Sequence, residues 1–326
     1  MRTQILTTVA LFGTISPLFA GTNPAAQQLL ATAEKQARIF EEQAGPIHLE
    51  IGFVAQMNVP MRGHFSLKWQ SKDRWWSKVV IGDFEQISMQ DGEMLYTVRN
   101  RPTPMRVGEI NSLIHFAQLP DELNAKKMKE QVKNGVAITC LQAEREKYKS
   151  EVHEICVDQA SNEILSDAWP EPPDEHRREQ FEDYFDFQGH RYPRKLQLQV
   201  NGSKVITANV ESLQTAPFDK ALLIPPQGAI ERRECPDLKH AQPVKTPDPA
   251  YPQSASHNGL MGDTAVAMTV LTDGSVSDIH LIETSTHSMD EATLQNLKGW
   301  KFKPAMCGSE PVVSDIEVVV SFRLTQ

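Results

Sequence analysis

The final stretch, residues 248–326, constrains the fold most, because its signals follow one another in an order that admits few topologies. Two apolar runs, 264–271 and 275–283, flank Asp273-Gly274. Asp-Gly between apolar runs is the strongest short hairpin signal, since a type I′ turn needs positive φ at both central positions. Next, Ser288 followed by Glu291 reads as a capping box, the hydroxyl taking an orphan helix N–H while the carboxylate reaches back. The helix it opens carries Met289, Ala292 or Thr293, and Leu297 at helical spacing, and Gly299 stops it. In the last run Ile316, Val318, Val320, Phe322 and Leu324 alternate with Glu317, Ser321 and Arg323, the pattern of a half-buried antiparallel strand. Trp300, directly after the helix, reads as the anchor that packs it on the sheet.

Upstream, Asn23-Pro24 pairs an N-cap with proline at the first helical position. Leu29, Ala33, Ala37, Phe40 and Ala44 then mark one face of a helix running to Gly45. Short alternating runs follow at 47–57, 62–70, 74–81, 84–90 and 93–99, with Asp91-Gly92 as another hairpin turn. Residues 109–118 and 121–133 read as helical. Strands resume near Val136, Val152 and Ile164 and continue at 181–187, 192–200 and 204–213, the last two joined by Asn201-Gly202. Helices against so long a meander make an α+β domain, with a curved antiparallel sheet in the manner of a half-barrel, over residues 21–226. Prolines then crowd the chain from Pro217 to Pro252, so 227–247 reads as a proline-containing linker into the small domain 248–326.

Residues 1–20 have the marks of a secretory signal peptide: Arg2, an apolar segment broken by Gly13 and Pro17, and the small residue Ala20 at the end. The rival reading is an uncleaved inner-membrane anchor, for which residues 5–20 fall short of the ~17–25 apolar residues that span a bilayer. A signal peptide places the mature protein in the periplasm, and the four cysteines fit an oxidising compartment. Cys140 and Cys156 lie in two short β-like runs, and a bridge between them closes a loop worth roughly 3 kcal/mol in the chain-entropy model. The remaining pair, Cys235 and Cys307, would tie the segment before the last domain to its body. A zinc site is the alternative, but there is no Cys-x-x-Cys and no closely spaced Cys/His set.

The net charge of −9, without a basic cluster, argues against nucleic acid and against an anionic membrane surface. There is no Gly-x-Ser-x-Gly elbow, no phosphate-binding glycine loop and no His-Glu-x-x-His, and the histidines are scattered. The expectation is a protein without catalysis, cofactor or metal.

The C-terminal signals, taken with Tyr251-Pro252, Gly262, Val276, Asp290, Phe302, Pro304-Ala305 and Pro311-Val312, resemble the C-terminal domain of the TonB energy-transducer family. The resemblance implies a small αββαβ domain. It also implies a partner, an outer-membrane TonB-dependent receptor or another envelope protein, captured by strand addition. The residues it implicates are Tyr251 and Pro252, with Asp315, Ile316, Glu317, Val318, Val319, Val320 and Ser321 of the terminal strand. Here a globular domain precedes the module, and the N-terminal apolar stretch lacks the polar histidine of the classical anchor. Coupling to a proton-driven motor is therefore not implied.

The N-terminal region resembles the LolA/LolB-like periplasmic carriers of lipid and lipoprotein, most clearly at Phe181-Glu182-Asp183-Tyr184, Gly189 and Tyr192-Pro193-Arg194-Lys195. That resemblance implies a curved sheet around an apolar hollow. It makes a lipid the alternative ligand, with Trp69, Trp75 and Trp76 as lining residues; ordinary core packing is the other reading of each.

Overall fold

The computed structural model describes residues 23–41, 45–57, 59–116, 123–145, 152–171, 175–233, 235 and 238–324. The expected signal peptide, residues 1–20, lies outside the described residues. Helix α1 (Pro24–Ala37) opens as its sequence requires, with Asn23 Oδ1 accepting from the Ala25 and Ala26 N–H groups at 3.1 and 3.2 Å. It buries Ala26, Leu30, Ala33 and Ala37 and stops earlier than its apolar spacing predicts. Phe40, beyond its end, meets the Trp69 ring edge-on at 5.9 Å.

Five strands follow: β1 (Ile47–Gln56), β2 (Pro60–Ser71), β3 (Arg74–Ile81), β4 (Phe84–Asp91) and β5 (Met94–Arg99). After α2 (Met105–Ile114) come β6 (Leu123–Lys133), β7 (Val136–Arg145), β8 (Val152–Asp158), β9 (Ile164–Glu171), β10 (Glu175–Phe187), β11 (His190–Val200) and β12 (Ser203–Thr215). With β13 (Ile230–Arg233) they form one open antiparallel sheet of thirteen strands, in the order β13-β5-β4-β3-β2-β1-β12-β11-β10-β9-β8-β7-β6. The helices and one face of this sheet share a continuous core, in which Phe116 stacks on Phe181 at 4.1 Å and the buried Tyr192 hydroxyl donates to Ile114 O. The fold is α+β, as the sequence indicates.

Residues 123–133 of the segment read as a helix over 121–133 correct that reading: they are β6, paired with β7 across Asn134-Gly135. Asn134 and Gly135 have φ of 53° and 81°, the type I′ geometry that this dipeptide favours. Good helix formers mislead here because β6 is an edge strand exposed along most of its length, so no alternation of burial marks it.

The rest of the chain carries β14 (Leu238–Lys239), β15 (Gln242–Lys245), α3 (Gln253–His257), β16 (Gly262–Val270), β17 (Val276–Glu283) and α4 (His287–Leu297). It ends with β18 (Lys301–Lys303), β19 (Ala305–Cys307), β20 (Glu310–Val312) and β21 (Ser314–Phe322). The central sheet of this module is β17-β16-β21, and α3-β16-β17-α4-β21 gives the expected αββαβ order. Residues 227–247 contribute strands to both regions. β13 extends the large sheet, whereas β14 pairs with β19 and β15 with β18. Pro243 sits opposite Phe302 in an edge strand, where a missing N–H is tolerated.

Two local expectations change. Only Gly274 of the Asp273-Gly274 pair has positive φ, 77°, and Asp273 Oδ1 accepts from the Ser275 N–H at 2.8 Å. A Cβ on Gly274 would lie 1.9 Å from Phe302 O, so the position is glycine for close approach as well as for φ. The cap of α4 is Thr286, which accepts from the Met289 N–H, rather than Ser288. Asp290, not Glu291, reaches back: its buried carboxylate accepts from Ser285 N–H at 3.0 Å and Thr264 Oγ1 at 2.9 Å.

Candidate functional site

The terminal strand pairs with nine consecutive residues of β16, from Gly262↔Phe322 to Val270↔Ser314, without a register shift. Its other side pairs with no strand of the described residues. The opposite edge, β17, is irregular: its ladder to β16 shifts register twice, and Asp278 adopts a φ of 51°. A straight, regular edge is the better template for an added strand, and bulges spoil one. Thus of the two edges in this sheet, β21 is the one suited to pairing.

Alternation divides the expected site residues along β21. Ile316 and Val318 pack on the cluster of Val266, Met268, Val270, Leu297 and Phe302. Val320 and Phe322 join Met289 and Ala255. These four hold the strand to α3 and α4. On the other face Val319 is 61% exposed, and Ser321 donates to Asp263 Oδ1 at 2.6 Å. Arg323 Nη2 donates to both oxygens of the same Asp263 carboxylate, at 2.7 and 2.8 Å, which holds that carboxyl below the usual range. Tyr251 reaches the far end of β21, where its ring meets Phe322 edge-on at 5.5 Å and its hydroxyl donates to Leu260 O. Tyr251 and Pro252, with Ala292 and Gln295 of α4, line an open groove of about 710 Å³. The structure therefore brings Tyr251 and Pro252 to one end of the terminal strand.

At the other end, Asp315 and Glu317 meet the large sheet, a contact the sequence gives no sign of. Asp315 accepts from Arg99 Nη2 at 2.6 Å, Thr269 Oγ1 at 2.9 Å and the Thr103 N–H at 3.2 Å. The two side chains of this ion pair are only 7% and 13% exposed. Glu317 accepts from the Met105 N–H at 2.9 Å, the first residue of a helix that has no side-chain cap of its own. A carboxylate at that place satisfies an orphan donor and the helix dipole together. Burial pushes the Glu317 carboxyl upward, against the pull of the Met105 N–H and the Arg106 charge. Beyond it, Glu109 bridges Arg106 at 2.6 Å and Arg177 at 2.8 Å, so the clasp continues onto β10.

The cysteines are joined as Cys140–Cys156 and Cys235–Cys307. Cys140 and Cys156 are directly opposed on β7 and β8. The second bridge ties the chain just past β13 to β19.

Trp69 is buried in the main core, and Trp75 packs partly against it. They are opposed across β2 and β3, which turns Trp76, next along β3 and opposite Lys68, to the other face. Between the helices and the sheet, Phe40, Phe116 and Tyr192 close around a void of about 10 Å³, no larger than one water. Further along the same sheet lies a buried polar cluster that sequence reading missed. His153 Nδ1 is 2.8 Å from Asp167 Oδ2 and its ring stacks on Trp169. Asp167 faces Glu179 across β9 and β10. Burial pushes the Glu179 carboxyl up to about 8, Asp167 adds to this, and Arg177 opposes it. Among the described residues no group of three or more His, Cys, Asp or Glu side chains is placed to hold a metal ion.

Comparison with known proteins falls unevenly on the chain. The protein TonB of Pseudomonas aeruginosa is 27% identical over 84 residues, covering 26% of this chain and 25% of that protein. The protein tonB2 of the same organism is 30% identical over 82 residues, 25% of this chain and 30% of that protein. The chain thus spans about a quarter to a third of the length of these curated relatives. A solved structure of a LolA superfamily protein from Nitrosomonas europaea aligns with 60% of this chain and 96% of its own, at 11% identity and a TM-score of 0.44. The solution structure of the P. aeruginosa TonB C-terminal domain aligns with 26% of this chain and 88% of its own, at 25% identity and a TM-score of 0.24. Residues 247–324, which contain α3, β16, β17, α4 and β21, match the family described as Gram-negative bacterial TonB protein C-terminal.

Proposed function

We propose that this chain is an exported envelope protein whose C-terminal module captures a partner strand along the free edge of β21. The single observation that carries the reading is the regular, one-sided pairing of β21 in the module that matches the TonB C-terminal family. The partner is an outer-membrane TonB-dependent receptor or another envelope protein with an extended segment. Main-chain hydrogen bonds supply the affinity, and the exposed Val319 and the groove beside Tyr251 and Pro252 supply the selectivity. Nothing in the arrangement calls for catalysis. In this reading the large sheet serves as a body on which the module is mounted.

A proline scan tests the mechanism, because proline removes one N–H at a time. Along an edge strand, alternate N–H groups bond inward and outward. Prolines at 317, 318, 319 and 320 fall into two classes by parity. The inward class destabilises the module by about 3 kcal/mol. The outward class keeps the ladder to β16 and so lowers the melting less, but loses crosslinked partner in pull-downs of the full chain from envelopes. If all four unfold the module equally, β21 is not a usable edge; if none changes the crosslinking yield, the partner docks elsewhere.

A further inference from the structure

The outer half of the β6–β7 hairpin belongs to neither the module nor the core. Residues 127–137 are exposed without interruption, so the hairpin projects beyond the sheet. Its base is covered, since the Asn23 N–H donates to Ala125 O and Gln27 bonds both Leu123 O and the Ala125 N–H. Past that point, the outer edge of β6 pairs with no strand of the described residues.

Composition sets this finger apart from the rest of the molecule. The chain carries a net charge of −9, yet Lys126, Lys127, Lys129 and Lys133 stand here against Glu130 alone. A basic cluster therefore exists at this place, four lysines between 126 and 133, contrary to the expectation from net charge. Strand alternation puts Lys127, Lys129 and Lys133 on one face and Met128 and Val132 on the other. Val132 and Val136 lie within two residues of the Asn134-Gly135 turn, on opposite faces because Val136 pairs with Lys133, and are 73% and 42% exposed; Met128 is 40% exposed. Exposed valines and lysines gathered at the end of a projecting hairpin are unusual on the surface of an acidic protein and mark an interaction site.

We infer that this hairpin docks the protein onto an anionic phospholipid surface, with the lysines on the headgroups and Val132 and Val136 at the tip entering the interface. Charge decides the occupant. A second copy pairing antiparallel along β6 would bring its own three lysines to within one strand spacing of these, and like charges directly opposed are destabilising. An anionic bilayer attracts the finger while the acidic body is repelled, which fixes one orientation. This inference rests on the hairpin and is independent of the strand-capture reading.

Vesicle flotation of the purified full chain tests it, with phosphatidylcholine vesicles made with and without phosphatidylglycerol. Binding is expected only with phosphatidylglycerol and should weaken as salt rises. Each lysine at such a surface is worth about fivefold in partitioning, so Lys127→Gln, Lys129→Gln and Lys133→Gln together should lower it about a hundredfold. Val132→Asp should also lower it while leaving every lysine in place. All these positions are exposed, and an unchanged melting temperature with an intact Cys140–Cys156 bridge verifies each fold. Residues 1–20 are common to parent and variants, so the ratio between them reports the hairpin. Equal binding to both vesicle types, or a triple variant that binds like the parent, would overturn the inference. So would a lysine-dependent dimer in sedimentation without lipid, which would make a second copy the occupant.

Discussion

The thirteen-stranded sheet and the C-terminal module are held together in different ways. The large sheet has one continuous apolar core drawn from both of its helices and most of its strands. The module divides its apolar residues into two small clusters, with five and four buried members. So small a core is marginal alone, and the module is fastened at its margins instead. Cys235–Cys307 holds its leading segment, the Trp300 indole N–H bonds Asn296 Oδ1 and Pro247 O, and Arg99 holds Asp315. The comparison teaches that a module with a small divided core and one open sheet edge can take its stability from attachments rather than from its interior.

The sharpest way to break that comparison is to remove the attachments. Cys140–Cys156 staples neighbouring strands already paired in register, whereas Cys235–Cys307 closes a separation of 72 residues. In the chain-entropy model a loop of that size is worth about 4 kcal/mol. Cys235→Ser with Cys307→Ser should lower the module's calorimetric transition by that amount and leave the large sheet's transition in place. One shared transition in the variant would show that the two regions melt as a unit and that the contrast drawn here is wrong.

The clasp comes next. Asp315→Ala leaves the Arg99 guanidinium nearly buried without its carboxylate, and its Nε already has no partner. Breaking such a pair from one side costs about 3 kcal/mol. The expected result is a lowered transition in the module and faster amide exchange at Thr103 and Met105, whose N–H groups face Asp315 and Glu317. Unchanged exchange there would mean that the large sheet does not hold β21.

How much of this was legible in the sequence follows from the range of each interaction. The strands of the large sheet were readable because alternating burial repeats every two residues, and Asn201-Gly202 marks its own turn with φ of 50° and 79°. The faces of β21 were readable for the same reason. β6 was not, since a strand exposed on both faces leaves only propensity to read, and lysine, glutamine and glutamate favour helix. The cap of α4 was misplaced by two residues because Thr286, Ser288, Asp290 and Glu291 offer two plausible frames, and the buried Thr264 decides between them. Residues 227–247 read as a linker because pairing with β5, β18 and β19 is non-local. The Arg99–Asp315 contact joins residues 216 apart, and no local pattern announces it.

The smallest of the predicted effects concerns the large sheet alone and separates the two regions by pH. Burial raises the Glu179 carboxyl from 4.5 to about 8. In this window the folded chain keeps a proton that the unfolded chain has released. Stability therefore falls as pH rises from about 4.5, and the loss levels off above about 8. Glu179→Gln removes the titration while keeping shape and burial. The variant should match the parent near pH 4 and exceed it at pH 8 by a margin on the order of 2 kcal/mol. The gain should appear in the transition of the large sheet and not in that of the module, since Glu179 lies on β10 opposite Asp167. A variant whose melting follows the parent at every pH would mean that Arg177 compensates the Glu179 charge in full. The cluster of His153, Asp167 and Glu179 would then be electrostatically neutral to folding, and the large sheet's stability would rest on its apolar core alone.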